Sequence, residues 1–352
     1  MKIVILYEEL AEYLLVSVAA FQNKYRAEIH LFRKPVNKDA PFVFNNTDYF
    51  HIHNRNNYDT HELISAVSAI NPDMLFCGGW MYKPYLIISK KYKSKIPVVL
   101  GFDNKWTRSL KQQIATSFNK ITIHKYFSHC WIPGNPQVEF ARRLGFNDEN
   151  IFSGFYSCDY YKFNSLYFKY REYKKKKFPH RLIFVGRYYE FKGIRDLWNS
   201  FISIQKENPN DWELWCLGTG DIKPIAHPKI KHFGFVQPKE MENIIRDCGV
   251  FVLPSTFEPW GVAVHEFASA GFPLICSDEV GAAEMFLKNN KNGFLFKAGN
   301  IHELKNTMRK IISMSDEQLF AMGEKSAELA KQITPDKWAD TLISILNTRD
   351  KN

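Results

Sequence analysis

Apolar residues in this chain gather in short runs, separated by stretches in which they return at helical spacing. Runs at 2–7, 27–32, 73–77, 96–101 and 151–156 have the length and aliphatic or aromatic content of buried strands. So do runs at 182–185, 212–217, 231–235, 250–253 and 272–276 in the back half. Between them, 11–25, 137–144, 194–205, 238–246, the run from Val262, and 301–312, 316–331 and 336–346 read as helices. Residues 118–131, with His124 and His129, are mixed. Apolar strands alternating with helices predict parallel sheets covered on both faces, hence doubly wound α/β domains. The texture breaks at 157–180, where Tyr160, Tyr161, Phe163, Tyr167, Phe168, Tyr170 and Tyr173 alternate with lysines and end in a run of four, 174–177. The expected organisation is a first domain over 1–156, a basic, aromatic linker over 157–180, a second domain over 181–334 and a last helical segment over 335–352.

Length and composition narrow the class. A chain of 352 residues suits two domains, and 45% hydrophobic content with 15% aromatics excludes a disordered chain. No apolar run reaches the ~18 residues that span a bilayer. The chain starts directly on a strand pattern, Lys2-Ile3-Val4-Ile5-Leu6, with no cleavage-site signature, so no signal peptide is expected. Six scattered cysteines, none at metal-ligand spacing and several in apolar runs, predict buried thiols in a reducing cytoplasm. No two aspartates are separated by a single residue. Neither a metal site nor a cofactor is expected.

The net charge of +10 is uneven. Residues 1–178 hold 26 Lys and Arg against 15 Asp and Glu, a net +11, and the remainder holds 21 against 22. Such a bias suits an acidic partner: an anionic membrane surface, a phosphorylated acceptor or nucleic acid. No helix-turn-helix, RNP or zinc signature accompanies the charge, which counts against nucleic acid.

Candidate chemistry centres on residues 250–284. A strand, the turn Thr256-Phe257-Glu258-Pro259-Trp260-Gly261 and a helix starting at Val262 form the arrangement by which an α/β sheet offers backbone N–H groups to phosphate. Gly261 permits close approach of the main chain, and Glu258 and Glu266 can accept hydrogen bonds from sugar hydroxyls. Glu266 is equally explained as an acid favoured by the helix dipole. Arg187 and Lys192, between the strand after Arg181 and the helix from Ile194, belong at the carboxyl edge of the sheet, where two cations suit a diphosphate; the alternative is ordinary surface residues. Gly186 ends that strand, and Gly218 opens a Gly-x-Gly turn after the next. In the first domain, Asp103 follows the strand at 96–101 as a candidate, or as a turn former. Gly78-Gly79-Trp80 ends another strand, as a ligand crevice or a tight turn.

Glu258, seven residues, Glu266, then Gly271-Phe272-Pro273 and Gly281-Ala282-Ala283-Glu284 together resemble the family-four retaining nucleotide-sugar glycosyltransferases. Gly186-Arg187 and Lys192-Gly193 upstream and Asn292-Gly293-Phe294-Leu295 downstream extend the likeness over the second half of the chain. The resemblance implies the GT-B fold, two Rossmann-like doubly wound domains facing across a cleft, with the last helix crossing back to the first. It implies a retaining, metal-independent hexosyltransferase that takes a UDP- or GDP-linked sugar. The acceptor would be a glycan or a lipid-linked molecule, in cell-surface polysaccharide or lipopolysaccharide synthesis at the inner face of the cell membrane. In that scheme Arg187, Lys192 and the Gly261-Val262 helix terminus hold the diphosphate, Glu266 the ribose, Glu258 the donor sugar, and the backbone near Val236 the base. The front half departs from the family. Tyr7-Glu8-Glu9-Leu10 replaces a glycine-rich turn, and Phe102 stands where many members have a histidine, so only Asp103 keeps that match. Within enzymes the alternative is a GT-B epimerase; phosphorylases of this fold carry a pyridoxal lysine and run longer. Outside enzymes it is a basic nucleic-acid-binding protein.

Overall fold

A computed structural model describes residues 1–35, 50–237 and 240–348. The chain packs as two units, Met1–Ser157 with Ile333–Asn352, and Cys158–Gln332. The first contains β1 (Lys2–Leu6), β2 (Glu28–Arg33), β3 (Phe50–Asn54), β4 (Met74–Gly78), β5 (Val98–Gly101), β6 (His129–Ile132) and β7 (Ile151–Ser153). They form one parallel sheet in the order β3-β2-β1-β4-β5-β6-β7. Alternation along each strand feeds two cores. Val4 and Leu6 of β1, Leu75 and Cys77 of β4 and Val98 and Leu100 of β5 enter one. Ile3, Ile5, Met74, Phe76 and Val99 enter the other. Successive side chains of a strand point to opposite faces, so a sheet covered on both sides must be apolar at every position. The last helix, Pro335–Leu346, closes the second of these cores with Trp338, Ala339, Leu342 and Ile345. The Trp338 indole N–H donates to the Phe155 carbonyl at 2.7 Å.

The second unit holds β8 (Arg181–Val185), β9 (Glu213–Leu217), β10 (Ile230–His232), β11 (Val250–Leu253), β12 (Leu274–Ser277) and β13 (Gly293–Phe296). Its sheet is parallel in the order β10-β9-β8-β11-β12-β13. The chain builds outward from β8 through β9 to β10, then returns to the other side of β8 with β11. The order therefore reverses between β8 and β11. The same reversal lies between β1 and β4 in the first unit.

Segment 157–180 is not a linker. Tyr160–Lys176 is a helix of the second unit, with Asp159 as its N-cap and Tyr160, Phe163 and Leu166 buried. Its basic tail leaves the front-half charge excess with two owners. The first unit has 22 Lys and Arg against 16 Asp and Glu, a net +6, and the second has 25 against 21, a net +4. The strand Phe50–Asn54 and the helices Thr60–Ile70, Lys83–Tyr92 and Leu110–Thr122 add elements where the apolar pattern predicts none or a mixed segment. The helix expected at 238–246 is Met241–Asp247, and Pro238 and Lys239 lie outside the described residues. No described helix is long and apolar enough to cross a membrane. All six cysteines are buried, and none is in a disulfide.

Candidate functional site

At a reversal of strand order, the loops leaving two neighbouring strands diverge to opposite faces and leave a crevice at the carboxyl edge. In the second unit those loops are 186–193 after β8 and 254–261 after β11. Gly193, with φ 67°, starts the helix Ile194–Glu207, and a Cβ placed there would meet the Pro254 carbonyl oxygen at 2.3 Å. The two loops thus pack backbone to backbone. The Thr256 N–H donates to the Phe191 carbonyl at 2.8 Å.

Lys192, in the single turn Glu190–Lys192, is thereby brought against the second loop, where its ammonium donates to the carboxylate of Glu258. Side-chain exposures of 17% and 12% place this pair where solvent screens it little. The Ser255 hydroxyl donates to the same carboxylate oxygen at 3.4 Å. On its other side the Glu258 carbonyl accepts from Gly281 N–H at 3.0 Å, and Ala282 N–H donates to the Trp260 carbonyl at 2.8 Å. Gly281 is required there, since a Cβ would lie 2.1 Å from the Pro259 oxygen. The Trp260 ring is buried and its indole N–H has no hydrogen-bond partner. Gly261, at φ 92°, turns the chain into the helix Val262–Ser269.

Gly186, Gly218 and Gly234 finish the neighbouring strands in step. Gly186 N–H donates to the Leu217 carbonyl at 3.0 Å and Gly218 N–H to the Gly234 carbonyl at 2.7 Å. A Cβ on Gly218 would sit 1.9 Å from the Gly186 oxygen. A side chain at Gly218 would clash with the Gly186 backbone, so this position requires glycine for the close packing of the two strand ends. Arg187 follows Gly186, its guanidinium 5.8 Å from the centre of the Tyr189 ring. Val236 lies in irregular chain after β10, half-buried.

Glu266 stands in the second turn of the helix Val262–Ser269, half-buried. That helix is anchored by His265, which the sequence reading missed. Its Nδ1 accepts from Cys158 N–H at 3.2 Å, so Nε2 carries the proton and donates to the Ala330 carbonyl at 3.0 Å. The ring stacks on Phe286 at 4.2 Å. Burial, with the Glu266 carboxylate adding to it, holds the Cys158 thiol well above the usual thiol range. That cysteine is inert.

At the first unit's reversal point a tyrosine is packed on the end of β4. The Tyr7 ring lies over Gly78, where a Cβ would meet it at 2.5 Å. Glu8, next in the turn, pairs with the buried Arg55 and with Lys34, both at 2.5 Å. Asp103 follows β5 and accepts from the Tyr156 hydroxyl at 3.2 Å, while its carbonyl accepts from the Gln137 amide at 3.0 Å. Burial pushes Tyr13 up to about 12, and burial and neighbouring tyrosines raise Tyr7 and Tyr156 well above the usual phenol range. These phenols stay protonated as hydrogen-bond donors. The structure therefore gathers Gly186, Arg187, Lys192, Glu258, Gly261 and Val262 around one reversal point, with Glu266 one turn along the helix, and puts Asp103 in the other unit.

Residues 179–314 match the family described as Glycosyl transferases group 1. An uncharacterised glycosyltransferase of Methanocaldococcus jannaschii is 29% identical over 122 residues, 32% of this chain and 30% of its own length. The alpha-monoglucosyldiacylglycerol synthase of Acholeplasma laidlawii is 32% identical over 124 residues, again 32% of this chain and 30% of its own. The chain thus spans just under a third of the length of these curated relatives. Among solved structures, HepE of Anabaena in complex with UDP and glucose superposes with TM-score 0.70 at 14% identity, covering 99% of this chain and 100% of that one. Sucrose-phosphate synthase of Thermosynechococcus elongatus does so with TM-score 0.72 at 12% identity, covering 100% of each. The two parallel-sheet units have the GT-B fold.

Proposed function

We propose that this chain is a glycosyltransferase that moves a sugar from a UDP- or GDP-linked donor to a glycan or lipid-linked acceptor, with retention of configuration and without a metal ion. The observation that carries the reading is the glycine-framed reversal point between β8 and β11, with Lys192 and Glu258 joined in it, inside the segment that matches the transferase family. An ammonium has three donor hydrogens, so Lys192 can keep Glu258 and still reach an incoming phosphate oxygen. Arg187 adds a second cation, and the start of the helix at Gly261-Val262 adds N–H groups and a favourable dipole. Glu266 takes the ribose hydroxyls, Glu258 the donor sugar, and the chain near Val236 the base.

In the reaction, the bond from the anomeric carbon to the diphosphate oxygen breaks while the acceptor oxygen bonds to that carbon on the same face. The acceptor proton passes to the departing phosphate oxygen. Charge grows on the diphosphate as its bond breaks, so preorganised cations and N–H groups lower the barrier. No general base in the protein is required. The experiment is incubation of the purified chain with a panel of nucleotide sugars, with and without excess chelator, and detection of released nucleoside diphosphate by mass spectrometry. Release from one donor, undiminished by chelator, is the expected result. No release from any donor, or release only with added Mg²⁺ or Mn²⁺, overturns the reading. Tight, salt-sensitive nucleic-acid binding that nucleotide sugars leave unchanged would favour the other class.

The acceptor side of the reading is an anionic lipid surface at the cytoplasmic face of the membrane. It is supported by the helix Leu110–Thr122, which turns an apolar stripe to solvent. Leu110, Ile114 and Phe118, four residues apart, are 76%, 62% and 71% exposed, whereas Thr116 is buried and Gln112 is half-buried. Arg108 and Lys111 are exposed beside the stripe. An apolar ridge turned to solvent and edged by cations suits the boundary of headgroups and acyl chains.

A further inference from the structure

The chemistry at the opposite edge of the first sheet has no part in sugar transfer. β2 and β3 pair in parallel with His30 opposite His51 and Phe32 opposite His53, and β3 is the outermost strand. Glu28 precedes His30 by two residues, so Glu28, His30, His51 and His53 all stand on one face of two adjacent strands. One ligand atom each from Glu28, His30 and His51 lie within 4.8 Å of one another. All three residues are half-buried.

We propose that Glu28, His30 and His51 form a divalent transition-metal site, of the borderline nitrogen and oxygen kind that takes zinc. At zinc bond lengths of about 2.0–2.2 Å, tetrahedral ligand atoms stand roughly 3.3–3.5 Å apart, a closing of little more than an ångström from the spacing present. The closest pair is His30 Nε2 and Glu28 Oε1, at 2.8 Å, with a hydrogen in the position a metal would occupy. The other atoms of Glu28 and His30 are already held. Glu28 Oε2 faces the Lys2 ammonium at 3.7 Å, leaving Oε1 as the inward atom. His30 Nδ1 is 3.3 Å from His53 Nε2, and His53 Nδ1 is 3.2 Å from the Tyr58 hydroxyl. If His30 donates from Nδ1 to His53, and His53 from its own Nδ1 to Tyr58, His30 Nε2 presents its lone pair toward Glu28 and His51. Ring nitrogens fixed by a second hydrogen bond are how metal-binding histidines are oriented. The His30 and His51 rings are stacked at 4.6 Å with 25° between their planes, which keeps both at one end of the sheet.

The residues lie in the amino-terminal parts of their strands, away from the carboxyl edge that serves ligands in this fold. The metal would pin the edge strand β3 to β2, a structural role, and the inference stands on the first unit alone whatever sugar chemistry the chain performs. The test uses the tag-free full chain, stripped with chelator and dialysed, then titrated with Co²⁺ and with Zn²⁺. Expected are one equivalent bound, a visible cobalt band of tetrahedral intensity that zinc displaces, and a rise in the thermal midpoint with zinc. His30→Ala and His51→Ala abolish the band. His53→Phe, which removes only the orienting contact, weakens affinity by about 10–100-fold. His61→Ala, on the neighbouring helix, leaves the titration unchanged. Absence of a cobalt band in the parent chain, or a band that persists in the His30→Ala/His51→Ala double variant, overturns the proposal; circular dichroism of the stripped variants establishes that they are folded.

Discussion

The two units repeat one topological event, the reversal of strand order at the centre of a parallel sheet, and line it differently. Between β8 and β11 the loops carry Gly186, Gly193 and Gly261, with Gly281 packed against them, and the large side chains of Tyr188 and Trp260 are buried there. Across these loops a lysine and a glutamate are held together, with the Ser255 hydroxyl on the same carboxylate. Between β1 and β4 the Tyr7 ring occupies the space above Gly78, and the charges of Glu8 are taken up by Arg55 and Lys34. Topology marks where a ligand can bind in a parallel sheet, and the two reversal points differ in the side chains that line them. At β8 and β11, glycines let two loops and their backbones pack closely; at β1 and β4, a tyrosine ring is packed on a glycine.

The comparison breaks most visibly if Tyr7 is not structural. Tyr7→Ala should remove a buried ring at a cost of about 3–5 kcal/mol, read as a lowered urea midpoint of the first unit, while donor KM stays within a few-fold. A near-neutral effect on stability with a lost donor affinity would make the first reversal point the binding site.

Glu258→Gln sharpens the other half. It leaves the shielded Lys192 without its anion, which costs toward the low end of ~3–5 kcal/mol in the second unit. Added nucleoside diphosphate should restore more stability to this variant than to the parent, because the phosphate supplies the missing charge. Glu266→Gln should instead weaken diphosphate binding itself, since an amide offers a single acceptor oxygen to the ribose hydroxyls. Calorimetry and thermal shift with diphosphate separate the two, and equal loss of binding in both variants contradicts the division of roles.

These pairings show what can be read from sequence and what cannot. The strands of the second sheet are visible as unbroken apolar runs, and the Gly, Lys and Glu positions as a spacing. That Lys192 meets Glu258 is not visible, because the two are brought together only by the adjacency of β8 and β11, sixty-six residues apart. His265 gave no signal either, as a lone histidine in an apolar helix looks like any core position until its two ring nitrogens find backbone partners. The helix Tyr160–Lys176 was hidden by composition: its buried Tyr160, Phe163, Leu166 and Lys174 sit among tyrosines and lysines, which resembles a solvated tether. Leu110–Thr122 has its apolar residues at four-residue spacing on the solvent side, with exposed Lys111, Gln113 and Ser117 among them. The four-residue grouping on β2 and β3 is spread across a strand pairing that no local pattern encodes.

A second lysine of the same unit provides a contrast with Lys192. Lys174 is buried with its ammonium 3.7 Å from the centre of the Phe272 ring and no hydrogen-bond partner, and burial lowers its pKa to about 7. In the unfolded chain it titrates near the ordinary lysine value of ~10.4. Between those values the unfolded state binds the extra proton, so this group makes stability rise with pH from about 7 toward 10. Lys174→Met should therefore raise the thermal midpoint at pH 7, with the gain shrinking as pH rises. A pH-independent difference, or a loss at every pH, would show the lysine to be charged and paired in the folded unit.

The smallest expected effect is at the membrane. Co-sedimentation with anionic vesicles should fall with salt, each basic residue near the surface contributing about 1 kcal/mol. It should fall further on changing Leu110, Ile114 and Phe118 together to serine. Equal binding to neutral vesicles, or no change in the triple variant, would remove this helix from the account.

The central claim is that the reversal point between β8 and β11 holds the departing diphosphate, and kcat for donor turnover by Lys192→Ala tests it most directly. Contacts that tighten as the leaving group gains charge act on rate more than on ground-state affinity. Loss of one such contact lowers turnover by ~10²–10³, about 2.7–4 kcal/mol. The account predicts a fall of that size in kcat with a smaller rise in donor KM, in a variant whose circular dichroism matches the parent. Folded Lys192→Ala protein turning over its donor within a few-fold of the parent would contradict it.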